Sequence, residues 1–205
     1  MHINVLVREA DVPIDNISKE PWAGVDHGVY LLLKKGIIPG YTYGDFDSIT
    51  EEERRFIDEK LDINPVESEK DDTDLEIALL DLTGRGYTSI DVYGATGGRL
   101  DHLLGNTQML LHEKLADVKI RIIDAHNVVE LLAHGRHEVS KDKKMKYVSF
   151  LPMYDGTVLT LEQFKYPLMG TKLSLGSTLT ISNEFTGERG SVETSEPILM
   201  IQSID

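Results

Sequence analysis

Two rhythms of apolar positions divide the first 125 residues of the chain into strands and helices. Ile3–Val7, Ser89–Tyr93 and Val118–Ile123 are short β-favouring runs. Between them, Gly28–Lys35 sets Val29, Leu32 and Leu33 on one side. Ser68–Leu82 repeats Leu75, Ala78, Leu79 and Leu82 at helical spacing until Gly84-Arg85-Gly86 stops it, and a further helix is expected from about Leu100 to Leu115. Thr50 ahead of Glu51-Glu52-Glu53 has the form of a capping box, which predicts a helix over Thr50–Lys60. Strands that alternate with helices imply parallel pairing, so residues 1–125 are expected to form an open, mainly parallel, Rossmann-like α/β sheet with flanking helices.

From residue 126 onward the rhythm shortens. Tyr147–Leu151, Thr157–Leu161, Thr178–Ser182, Ser191–Thr194 and Ile198–Gln202 are β-rich, and turn signals such as Asp155-Gly156, Thr186-Gly187 and Arg189-Gly190 separate them. Thr178-Leu179-Thr180-Ile181-Ser182 alternates with period two, as a half-buried strand does. Residues 126–205 are therefore expected to form a second domain, an antiparallel β-sandwich or barrel.

Composition narrows the function. The 205 residues suffice for a core without staples, and the absence of cysteine excludes disulfides, thiol nucleophiles and thiolate metal sites. The net charge is −14, and residues 1–125 carry nearly all of it, with 13 basic against 25 acidic side chains. Such acidity argues against nucleic acid or an anionic membrane as partner and suits divalent cations or a cationic substrate. With no spanning apolar run and no secretory leader at Met1–Glu9, a soluble cytoplasmic protein is the expectation.

Three clusters carry chemistry. Gly44-Asp45-Phe46-Asp47-Ser48 places two carboxylates one residue apart, where a loop could converge them on a hard cation such as Mg²⁺; an acidic turn would give the same pattern. Lys70-Asp71-Asp72-Thr73-Asp74 sets Asp71 and Asp74 on one helical face. Ser68 with Asp71 could cap that helix, yet the crowding of Glu69, Asp71, Asp72, Asp74 and Glu76 exceeds what capping needs. Gly94-Ala95-Thr96-Gly97-Gly98-Arg99-Leu100-Asp101-His102 follows a strand and opens a helix, a place suited to phosphate, with Arg99 as a planar fork. It is neither a Walker loop nor a dinucleotide fingerprint. Together the clusters describe a site for a polyphosphate and Mg²⁺ at the carboxyl ends of parallel strands.

In that order, the motifs GDFDS (44–48), KDDTD (70–74) and GATGGRLDH (94–102) resemble the thiamine pyrophosphokinases of bacterial type. Val25-Asp26-His27-Gly28 stands where that family usually has an Ala-Asp-Gly-Gly-like turn. Phe164–Leu168 and Ile181–Phe185 resemble its thiamine-binding β-domain. Two departures stand out: His27 replaces the first glycine of that turn, and Leu6–Asp11 lacks the glycine-rich turn often found after the first strand, which leaves the nucleotide contacts there open.

The resemblance implies transfer of the terminal pyrophosphate of ATP to the hydroxyl of thiamine, giving thiamine diphosphate and AMP. It also implies a homodimer, with ATP on one subunit's residues 1–125 and thiamine in a cleft completed by the partner's residues 126–205. Asp45, Asp47 and Asp74 are then expected to hold Mg²⁺, with Asp71 as ligand or support. Asp26 would orient metal-bound water or the nucleotide, Ser48 would contact phosphate or water, and Gly97, Gly98 and Arg99 would grip phosphates or departing AMP. Tyr166 offers an aromatic face to the thiazolium, and Ser182 and Asn183 offer hydrogen bonds. Asp101 either accepts from a pyrimidine amine or assists the attacking hydroxyl. Two other readings remain at this point: a haloacid-dehalogenase-like phosphatase using Asp45 and Asp47, and a non-catalytic nucleotide- or metal-binding module.

Overall fold

Strand ends, more than helix faces, decide where chemistry can occur in this chain. A computed structural model describes residues 1–12, 14, 20–46, 49–61 and 72–205. Asp47, Ser48, Ser68 and Asp71 therefore lie outside the described residues. The chain divides into two units, Met1–Ala125 and His126–Asp205.

In the first unit β1 (His2–Leu6), β2 (Trp22–Val25), β3 (Tyr41–Tyr43), β4 (Ser89–Tyr93) and β5 (Lys119–Ile123) run parallel in the order β3-β2-β1-β4-β5. The order reverses direction between β1 and β4, which makes the carboxyl edge there the place where open α/β sheets bind ligands. The helices are α1 (His27–Lys34), α2 (Glu51–Asp58), α3 (Asp74–Gly84) and α4 (Leu100–Met109). Val29 and Leu33 of α1 close on Phe46 and Ile57, while Leu6, Trp22, Leu32 and Tyr93 form a second cluster.

Local chemistry explains the helix boundaries. Thr50 caps α2 with both halves of the capping box in place. The helix expected from Ser68 begins instead at Asp74, because Thr73 is extended and its hydroxyl accepts from the Glu76 N–H at 3.3 Å. The periodicity of Leu75, Ala78, Leu79 and Leu82 marks the buried face correctly. Beyond Met109 the helix expected to reach Leu115 gives way to a short turn and a 3-10 segment at Glu113–Leu115. Strands β2 and β3 escape a pattern search because they are four and three residues long and contain Gly or Thr.

The second unit contains β6 (Asn127–Leu132), β7 (Gly135–Ser140), β8 (Tyr147–Pro152), β9 (Thr157–Glu162), β10 (Leu168–Leu173), β11 (Arg189–Thr194) and β12 (Ile198–Ser203). β12 lies antiparallel between β6 and β8, and β10-β9-β11-β7 form an antiparallel sheet. Their inward side chains share one core, including Val148, Phe150, Leu159, Leu161, Val192 and Ile198. The strand expected at Thr178–Ser182 is a series of turns. Its alternation is real but inverted: Thr180 is buried with its hydroxyl donating to the Phe150 carbonyl, Leu179 and Ile181 are exposed, and Ser182 has φ 59°. A satisfied hydroxyl inside, plus a left-handed residue, turns the backbone away from a ladder. No helix among the described residues is long and apolar enough to cross a membrane.

Candidate active site

Three carboxylates arrive at the carboxyl edge of the sheet from separate elements. Asp26 follows β2 and stands at the N-cap position of α1, Asp45 follows β3 after Gly44, and Asp74 is the first residue of α3. One oxygen from each lies within 4.8 Å of the others, and all three residues are half-buried. The sequence points to Asp45, Asp47 and Asp74 as metal ligands and to Asp26 in a lesser role; the fold puts Asp26 beside Asp45 and Asp74. The signal that could have raised it is its place in the Val25-Asp26-His27-Gly28 turn.

The backbone works to make this convergence. Asp26 has φ 48°, which is uncommon for a non-glycine residue and costs on the order of 1–3 kcal/mol. Its N–H donates to the Tyr43 carbonyl at 2.9 Å, so the ends of β2 and β3 are fastened together. Gly44 has φ +116°, and a Cβ there would lie 2.0 Å from Asp26 Oδ1. Only glycine leaves that carboxylate in place. Gly28 is equally confined, since a Cβ would stand 1.9 Å from the Leu6 carbonyl oxygen. Phe46, the residue next to Asp45 in GDFDS, is buried among Val29, Leu33 and Ile57 with the Arg54 guanidinium over its ring, and this anchors the acidic loop. His27, the departure in the early turn, stacks on Tyr30 and lies 3.1 Å from Glu53 Oε1. The Thr50 N–H, followed by His27, holds the Glu53 carboxyl below its usual range.

A cleft of about 240 Å³ opens between the start of α3 and α4, lined by Thr73, Glu76, Asp101, His102, Gly105, Asn106 and Met109. The Asn106 amide donates to the Ala95 carbonyl at 2.9 Å and fixes the glycine loop to α4. Gly97 and Gly98 both have positive φ and are exposed. Arg99 does not stand alone: its Nε and Nη2 fork onto Asp101 at 3.1 and 2.5 Å. That fork, with the His102 N–H, lowers the Asp101 carboxyl to about 2, which makes it a weak proton acceptor at neutral pH. Arg8, which sequence reading did not single out, donates from Nη1 to the Gly97 carbonyl at 3.3 Å.

In the second unit, Tyr166 is 58% exposed, with Lys165 Nζ 5.5 Å from its ring centroid. Asn183 is 3% exposed, and its polar atoms are engaged: Oδ1 accepts from the Tyr166 and Glu184 N–H groups, and Nδ2 donates to the Tyr166 carbonyl. Asn183 thus holds the Tyr166 backbone. Ser182 is exposed, and its N–H donates to Ser149 Oγ at 3.0 Å.

The donor set suits a hard divalent cation, because three carboxylate oxygens on fixed elements are the ligand type that Mg²⁺ prefers. The family model for the thiamin pyrophosphokinase catalytic domain matches residues 17–122, and that for the thiamin pyrophosphokinase vitamin B1 binding domain matches residues 136–199. The thiamine pyrophosphokinase of Bacillus subtilis (strain 168) is 44% identical over 187 residues, 90% of this chain and 87% of that protein. A crystal structure of thiamine pyrophosphokinase from Bacillus subtilis matches with TM-score 0.93 and 38% identity, covering 100% of both chains. One from Geobacillus thermodenitrificans gives TM-score 0.88 and 39% identity over 100% of this chain and 98% of its own. On both its catalytic and its vitamin-binding parts, the chain belongs to the thiamin pyrophosphokinase family.

Proposed function

We propose that the chain transfers the terminal pyrophosphate of ATP to the hydroxyl of thiamine, releasing AMP, and that Asp26, Asp45 and Asp74 hold the Mg²⁺ that accompanies the triphosphate. The observation that carries the site assignment is the convergence of three carboxylates from three elements at one edge of the parallel sheet. Asp47 joins them as a ligand, and Asp71 serves as ligand or support. Bound there, the divalent cation supplies neutralisation of phosphate charge and so eases the departure of AMP.

The protein's own task is positioning. The thiamine oxygen forms a bond to the β-phosphorus as the bridge to the α-phosphate breaks, and the hydroxyl proton passes to solvent. Little covalent chemistry is asked of the side chains. Gly97 and Gly98 bring backbone close to the phosphates, Ser48 contacts phosphate or water, and Arg99 is paired with Asp101 at the start of α4. The second unit receives thiamine: Tyr166 presents its ring to the thiazolium, Ser182 supplies a hydrogen bond, and Asn183 fixes Tyr166. A homodimer completes the thiamine cleft with the partner's second unit. The exposure of Leu100 and Leu104 on α4, and of Tyr166, Met169 and Leu179, supports that reading.

The test is a mixture of protein, Mg²⁺, ATP and thiamine. AMP and thiamine diphosphate are expected in equal amounts, and AMP only when thiamine is present. ADP and inorganic phosphate without thiamine diphosphate would instead mark a phosphatase and overturn the proposal.

A further inference from the structure

The loop after β1 brings Arg8 onto the glycine loop that follows β4. We infer that Arg8 is a phosphate-binding residue of the nucleotide site; this rests on the ATP site proposed above.

Four observations support it. First, β1 and β4 are the adjacent strands at which the sheet order reverses, and Arg8 leaves β1 as Gly94 leaves β4. The crevice between two such loops is where open parallel sheets receive phosphate. Second, the loops are locked together. The Val7 N–H donates to the Tyr93 carbonyl at 3.0 Å, and a Cβ on Gly94 would fall 2.3 Å from the Arg8 carbonyl oxygen. Third, the guanidinium lies on the glycine loop: Nη1 reaches the Gly97 carbonyl, and a Cβ on Gly98 would come within 2.4 Å of it. The two glycines that bring backbone toward phosphate therefore also leave room for a cation. One contact with a carbonyl engages one of five guanidinium N–H donors.

Fourth, charge selects Arg8. The first unit has a large excess of carboxylates, and a triphosphate entering it needs cations. Of the two arginines at these loops, Arg99 is neutralised by its fork on Asp101. Arg8 forms no ion pair among the described residues, and its one contact with the glycine loop is exposed, so its other donors face the side from which a ligand would arrive. A guanidinium in that state is suited to bidentate capture of phosphate oxygens.

The experiment is calorimetric titration with ATP and, separately, with adenosine, at saturating Mg²⁺ and without thiamine, so that no turnover occurs. The parent, Arg8→Gln and Arg8→Lys are compared. Arg8→Gln is expected to raise the Kd for ATP roughly tenfold or more, the scale of one lost charge-assisted contact, with the Kd for adenosine unchanged. Arg8→Lys is expected to recover part of the loss. An ATP Kd equal to the parent's in Arg8→Gln, or equal weakening of ATP and adenosine, would overturn the inference. If Arg8→Gln does not fold, Arg8→Lys decides: a several-fold weaker ATP Kd with adenosine unchanged supports the assignment, and a parental ATP Kd overturns it. Thiamine pyrophosphorylation is measured on the parent in parallel. A parent that transfers pyrophosphate while Arg8→Gln binds ATP normally removes Arg8 from the site and leaves the proposed function standing.

Discussion

A methyl group at position 44 would stand 2.0 Å from Asp26 Oδ1, on a backbone whose φ of +116° already excludes most side chains. Two costs therefore fall on the same substitution, one steric and one conformational. Gly44→Ala is expected to displace the Asp26 carboxylate and raise the Mg²⁺ concentration needed for half-maximal turnover by about tenfold or more, an effect on the scale of one lost charged ligand. Asp74→Asn removes one charge of the carboxylate cluster without adding bulk. Its expected signature is a fall in turnover on the order of a hundredfold, the scale of one lost electrostatic stabiliser, with a thermal midpoint close to the parent's. Titrating Mg²⁺ against rate for both variants, beside their melting curves, checks this. Parental Mg²⁺ dependence in both would remove the carboxylate cluster from the chemistry.

At the scale of elements, β3, which leads through Gly44 to Asp45, is held against α3, which begins with Asp74. Tyr43 at the end of β3 donates from its hydroxyl to Asp81 Oδ2 on α3 at 2.6 Å, and Arg85 Nε donates to the same oxygen at 2.6 Å. The Arg85 guanidinium in turn covers the Tyr41 ring at 4.8 Å. Burial, followed by the hydrogen bond to Asp81, pushes the Tyr43 phenol upward, so it stays a donor throughout the working range. Tyr43→Phe keeps the ring in the core and deletes this tie. The expected cost is about 1.5–3 kcal/mol of stability, as for hydrogen bonds to charged partners, with a higher Mg²⁺ requirement and a kcat at saturating Mg²⁺ within a few-fold of the parent's. Denaturant melts and Mg²⁺ titrations separate the two effects. A stability loss with unchanged Mg²⁺ dependence would make the tie structural alone.

For the whole molecule, buried Tyr93 gives a pH limit. Burial, followed by the Asp91 charge, pushes its phenol up to about 12, against an ordinary value of 10.0. Between those values the unfolded chain loses a proton that the folded one keeps, so the contribution of Tyr93 to folding stability is full below about pH 10 and is lost as pH rises toward 12. Tyr93→Phe is expected to flatten that fall, seen as a shallower drop in thermal midpoint between those pH values. An unchanged alkaline slope would place the loss elsewhere.

The long elements, and the motifs that place acidic and glycine-rich segments at strand ends, were legible in the residues. Thr50 with its three glutamates gave α2, the Leu75–Leu82 periodicity gave the buried face of α3, and GDFDS, KDDTD and GATGGRLDH named the acidic and glycine loops. These succeed because capping, helical spacing and carboxylate density are local properties. Short strands such as Tyr41–Tyr43 and the turns at Thr178–Ser182 were not legible, since three residues hold no period and one inward hydroxyl inverts another. The grouping of Asp26 with Asp45 and Asp74 required the parallel order of β2 and β3 and the start of α3 at Asp74. The neutralisation of Arg99 by Asp101, and the placing of Arg8 on the glycine loop, likewise depended on through-space distances. The sequence by itself determined which groups could bind metal and phosphate; the tertiary structure decided which of them meet, because proximity between strands is set by pairing and crossover, and no single segment encodes those.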